Sequence, residues 1–201
     1  MLRPMRELVQ AHIQRSIEAK QKLIAESLDD IVRGGELLTG VLQKGGKLMM
    51  CGNGGSAADA QHIATEYLVR YRAKPERPSL PAISLAADSS TLTAGGNDFG
   101  FDHVFARQIE GLGRPGDGLL AISTSGNSVN VINALKTARA KGMATVLLTG
   151  GDGGRALGEI ADAIDVSVRV PHEETSRIQE CHIMIGQIFC AMTEKAMFDI
   201  D

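Results

Sequence analysis

Tryptophan is absent from this 201-residue chain, and phenylalanine and tyrosine together supply only 3% of it. The core must therefore be built from Val, Ile, Leu, Ala and Met. No uninterrupted apolar stretch approaches the roughly 20 residues of a membrane span, which argues against a bilayer partner. Charge of one sign is lacking too. Lys and Arg number 21 against 24 Asp and Glu, a net of -3, and no long run of either sign occurs. That balance argues against direct nucleic-acid binding or attachment to a membrane surface. Only three cysteines are present, Cys51, Cys181 and Cys190, with no CxxC or zinc-finger spacing. An odd, scattered set excludes a disulfide framework and reads as reduced, buried thiols of a cytoplasmic protein. There is no proline-rich linker, low-complexity segment or internal repeat, so residues 1–201 are expected to form a single domain. The first residues, MLRPMRELVQAHIQR, are polar and amphipathic, unlike a secretory leader.

What the chain has is 43% hydrophobic residues and 23 glycines. Residues 5–43 show helical spacing in two stretches: Leu8, Ile13, Ile17 and Leu23, then Ile31, Leu37, Leu38 and Val41. They predict an N-terminal helical hairpin over 1–44, with more apolar surface than one small sheet needs. After Gly45-Gly46, short apolar runs at 47–51, 81–85, 118–122, 144–148 and 164–170 alternate with helical patterns near 56–70, 101–112, 128–141, 154–161 and 174–198. Wholly apolar strands alternating with helices predict an α/β fold, a doubly wound parallel five-stranded sheet of flavodoxin-like type.

Ligands of such sheets bind beyond the carboxyl ends of strands, and two loops stand there. In CGNGGS, 51–56, Asn53, Gly54 and Gly55 predict a tight turn, with Ser56 placed to cap the next helix. Exposed N–H groups at such a turn suit an anion. In STSGNS, 123–128, the hydroxyls of Ser123, Thr124, Ser125 and Ser128 lie within six residues. Without a lysine they describe a neutral cradle for a phosphate monoester. Neither loop is GxGxxG or GxxxxGK[ST]. Either alone would pass for turn chemistry; two at matching positions point to a ligand. His62 and Glu66, four apart on a predicted helix, face the same way; alone they would read as a solvated pair.

The combination of CGNGGS, GNDFGF at 96–101, ISTSGNS, LTGGDGG at 148–154 and RIQE at 177–180 resembles the sugar isomerase (SIS) domain, and within it the phosphoheptose isomerases. The resemblance implies conversion of sedoheptulose 7-phosphate to D-glycero-D-manno-heptose 7-phosphate, for lipopolysaccharide or a related glycan, by a homotetramer with sites between subunits. It implies substrate contacts from Asn53, Gly54, Gly55, Ser56, Asn97, Asp98 and Gln179, phosphate contacts from Ser123, Thr124, Ser125 and Ser128, and Glu66 as catalytic base. It also implies zinc, held through His62, Glu66 and Gln179. The fourth family ligand is a histidine eight residues after that glutamine, and here the position is Gln187. A carboxamide is a poor zinc donor and moves no proton, so zinc is expected to be weak, replaced or absent. His182, the one histidine of that run, reads as a residue of a helix interface. The same resemblance leaves a second reading, a non-catalytic protein like the DnaA initiator-associating proteins, which bind without the catalytic residues.

Overall fold

The computed structural model describes residues 2–201. Five strands, β1 Leu48–Gly52, β2 Ala82–Ser84, β3 Gly118–Ile122, β4 Ala144–Gly150 and β5 Val166–Val170, pair in parallel in the order β2-β1-β3-β4-β5. This is the doubly wound arrangement of flavodoxin-like sheets, as the strand–helix alternation predicts. Successive strand residues serve opposite faces. Leu48, Met50, Leu120, Val146 and Leu148 pack against α1 (Leu2–Gln43), α2 (Gly55–Leu68) and α7 (Thr175–Phe198). Met49, Cys51, Leu119, Ala121 and Leu147 pack against α4 (Val104–Leu112), α5 (Val129–Ala140) and α6 (Gly154–Glu159). The three cysteines are free and buried, as their composition suggested. Among the described residues, no helix is long and apolar enough to cross a membrane.

The N-terminal hairpin is not formed. Residues Leu2–Gln43 make one continuous helix of 42 residues, about 60 Å long. The stretch between the two apolar patterns, Ile24 to Asp30, holds no glycine or proline to break it, and Pro4 sits in the first turn, where its missing N–H costs nothing. Gly34 and Gly35 act as a contact: a Cβ on Gly35 would collide with the Met192 thioether and touch Phe189. They let α1 and α7 approach closely. Ala19, Leu23, Ser27, Ile31 and Leu38 form the buried stripe of α1, whereas Met5, Val9, Ile13, Ile17, Ile24, Leu28 and Val32 stay exposed.

One helix was not foreseen. Residues Ser89–Phe99 form α3, begun by Asp88, whose carboxylate accepts from Ser90 N at 2.9 Å and Thr91 N at 3.2 Å. None of its residues is buried, so it carries no apolar period to detect. A short 3₁₀ turn, Phe101–His103, then leads into α4.

Candidate active site

The strand order reverses between β1 and β3, because the chain leaves β1 for β2 on one side and returns to β3 on the other. Ligand crevices of doubly wound sheets open at such a point, and both loops singled out above meet there. They are joined by a reciprocal amide pair: Asn53 Nδ2 donates to Asn130 Oδ1 at 2.8 Å, and Asn130 Nδ2 donates to Asn53 Oδ1 at 2.9 Å. Each amide keeps one donor hydrogen and one lone pair for other partners. Asn130 is buried in the first turn of α5 and was missed from the sequence. The available signal was an amide at an inward position beside Val131 and Ala134.

The β1 loop leads into α2 with Gly54 as N-cap and no side-chain cap. Ser56 is buried inside the first turn rather than capping it, a correction to the expected role. Its place follows from crowding, since Gly52 lies directly against Ser56. The first amides of α2 are thus uncapped beside the crevice. Gln179 comes from α7, far away in sequence, and its carboxamide lies on Gly55, where a Cβ would have no room.

Farther along α2, His62 Nε2 and Glu66 Oε1 are 2.9 Å apart; the His62 side chain is half exposed and that of Glu66 is 18% exposed. Asp59 stands one turn before His62 on the same face. Its carboxyl oxygen Oδ2 is buried without a hydrogen-bond partner among the described residues. Burial pushes the Asp59 carboxyl up to about 6, with nearby His62 acting the other way. Helix α7 runs beside α2: Gly186 has no room for a Cβ because Ile63 is there. Half-buried Gln187 follows Gly186 at that crossing.

His182 faces the other way. It is fully buried, with Nε2 3.1 Å from the Thr149 carbonyl oxygen at the end of β4. Burial pushes its imidazole down to about 4, so it is neutral, an interface histidine as expected. Its Nδ1 and the Thr149 hydroxyl have no partner among the described residues.

The β3 loop forms the opposite wall. Ser123 Oγ donates to Ser128 Oγ at 3.1 Å, and Ser125 Oγ accepts from Asn127 N at 3.2 Å. The Ser128 hydroxyl accepts from Ser123, and α5 starts without a side-chain cap. The β4–α6 loop braces this wall: Ala156 N donates to Gly126 O at 2.9 Å and Arg155 N to Asn127 Oδ1 at 2.9 Å. Thr124 and Ser125 also line a cleft of about 400 Å³ with Asp152 and His172. Asn97 and Asp98, at the end of α3, are exposed and bonded to one another at 2.7 Å. Asp98 lines a separate cavity of about 600 Å³ with Ile83, Phe99 and Leu112. Among the described residues, neither side chain is hydrogen-bonded to a crevice wall.

As a zinc site this donor set is poor. Catalytic zinc sites use three good protein donors, and among the described residues no group of three or more His, Cys, Asp and Glu could hold a metal. His62 and Glu66 are turned to each other, and Gln179 and Gln187 offer only amide oxygens.

A family-level comparison matches residues 11–150 to the SIS domain, so the fold and the two-loop crevice are those of a sugar isomerase (SIS) domain. A phosphoheptose isomerase of Chlorobium phaeobacteroides is 54% identical over 168 residues, spanning 83% of this chain and 73% of that protein. The solved phosphoheptose isomerase of Neisseria gonorrhoeae superposes with a TM-score of 0.87 at 45% identity, over 95% of this chain and 99% of the other. That of Francisella tularensis gives 0.87 at 34% identity, over 94% and 97%. The chain belongs to the phosphoheptose isomerase family, and it is an isomerase.

Proposed function

We propose that the chain converts sedoheptulose 7-phosphate to D-glycero-D-manno-heptose 7-phosphate in the cytoplasm, supplying heptose for a surface glycan. One observation supports this reading: the hydroxyl loop at the start of α5 is tied through Asn130 and Asn53 to the loop that opens α2, the helix that carries the His62–Glu66 pair. Ser123, Thr124, Ser125 and Ser128 take the phosphate. Asn53, Gly54, Gly55, Ser56 and Gln179 take the sugar near its carbonyl. Asn97 and Asp98 join them only if α3 moves or another subunit uses them.

The reaction moves a proton between C1 and C2. Glu66 takes the C1 proton of the ketose as the C2 carbonyl becomes an enediolate, a proton passes from O1 to O2, and Glu66 returns its proton to C2 as the aldehyde forms at C1. The Gln179 N–H stabilises the oxygen that gains charge. His62, hydrogen-bonded to Glu66, orients the carboxylate. No step requires the metal. His62, Glu66, Gln179 and Gln187 are the residues that would hold zinc, and with two carboxamides among them they would hold it weakly, so Gln187→His is expected to raise zinc affinity, measured by titration with a metal indicator. Stoichiometric zinc in the purified wild type would contradict this.

The exposed apolar stripe of α1 supports a homotetramer built on that helix. Light scattering showing a monomer at micromolar concentration would contradict it. Gln187 favours a second reading, a non-catalytic sugar-phosphate-binding protein. Incubation with sedoheptulose 7-phosphate, with and without added zinc, separates the two: turnover supports the enzyme, and binding without turnover in both conditions supports the second.

A further inference from the structure

Glu66 sits in the last turn of α2, which stops at Leu68. The final carbonyls of a helix have no partner inside it, and ends left so tend to fray. Here the segment that follows satisfies them with side chains. Arg77 Nη2 donates to Glu66 O at 2.7 Å, and Arg77 Nη1 donates to Tyr67 O at 3.0 Å. Ser79 Oγ donates to Leu68 O at 2.6 Å. The guanidinium is itself held from α7: Arg77 Nε donates to Glu194 Oε1 at 2.7 Å, and both side chains are only 1% exposed. Glu194 also accepts from Tyr71 N and from Arg72 Nη1, each at 3.3 Å.

A buried ion pair adds little net stability over two well-packed apolar side chains. What it supplies here is position. A planar guanidinium fixed at one end by a carboxylate presents its remaining N–H groups to two successive carbonyls in a set geometry. One of those carbonyls belongs to Glu66.

We propose that Arg77, clamped by Glu194, is a positioning residue that fixes the backbone from which the Glu66 carboxylate reaches the substrate. Arg77 touches no substrate itself. Glu66 is then held at two points, its backbone by Arg77 and its carboxylate by His62. Small misplacements of a reacting group cost rate steeply. The proposal rests on the reading of Glu66 as the base.

The test compares Arg77→Lys and the double variant Arg77→Met/Glu194→Leu with wild type. The double variant removes the ion pair without leaving a lone buried charge, so it is the one suited to keeping the fold. Expected is a fall in kcat of about 10- to 100-fold with KM within about threefold in each folded variant. On a Glu66→Gln background, Arg77→Lys should change the residual rate by less than about twofold, since aligning an absent base gains nothing. Wild-type kcat in either folded variant overturns the proposal. So does an equal further loss on the Glu66→Gln background, and so does failure of both variants to fold, which would assign the pair to folding alone. Wild-type turnover by Glu66→Gln itself would instead overturn the reading of Glu66 as the base.

Discussion

The two walls of the crevice are built from different chemistry. The β3–α5 wall is neutral: hydroxyls, amides and the start of a helix, with no charged side chain among Ser123 to Ser128. The α2–α7 wall is titratable, with Asp59, His62 and Glu66 on one helix face. A phosphate carries its own charge and needs donors that stay protonated at every pH. A proton-transfer step needs groups whose protonation can change. The fold ties the two through the Asn53–Asn130 pair.

If the walls divide the work in this way, variants on each should fail differently. The largest effect is expected from Glu66→Gln. Turnover should fall by about 10² to 10⁴, while inorganic phosphate binding, measured by calorimetry, should not change. Ser123→Ala should do the reverse. Losing one hydrogen bond to a charged group costs about 1.5–3 kcal/mol, so phosphate affinity should fall roughly 10- to 100-fold with a smaller effect on kcat. Asn130→Ala should blur the comparison, because it releases both walls. It deletes two hydrogen bonds and leaves Asn53 unpaired, a loss of about 1–3 kcal/mol in denaturant unfolding, with both affinity and kcat reduced.

The smallest effect concerns pH. Burial raises the Asp59 carboxyl to about 6 in the folded chain. The folded state therefore favours its protonated form. The associated stability is fully present below the ordinary carboxylate range and is lost as pH rises through about 6. Asp59→Asn should flatten the decline in melting temperature between about pH 4 and pH 7. An equivalent Ser123→Ala scan should keep the wild-type slope.

The same contrast explains what could be read from the sequence. The strands were legible because each lies in a short, largely apolar stretch between helical patterns, and the 118–122 run matches β3 residue for residue. Both loops were legible because their residue types serve a local purpose. The continuity of α1 was not, because two apolar patterns separated by polar residues look like two helices until something packs against the middle. Gly34 and Gly35 lie inside the second pattern, and their meaning lies in Phe189 and Met192, more than 150 residues away. Helix α3 rests on a cap and not on burial, so periodicity passed over it. The role of Ser56 was misjudged because capping is decided by where the turn ends, and it ends at Gly54. Asn130 and Arg77 were missed for a shared reason: each acts through a backbone or amide partner brought near only by the fold.

The account turns on Glu66 performing the proton transfer without depending on bound metal. The most direct measurement is the rate of sedoheptulose 7-phosphate isomerisation by chelator-treated wild type and by Glu66→Gln, each at saturating substrate. The account predicts turnover by the metal-stripped wild type and a loss of about 10² or more in Glu66→Gln. Turnover by wild type only after zinc is restored, or an undiminished rate in Glu66→Gln, would contradict it.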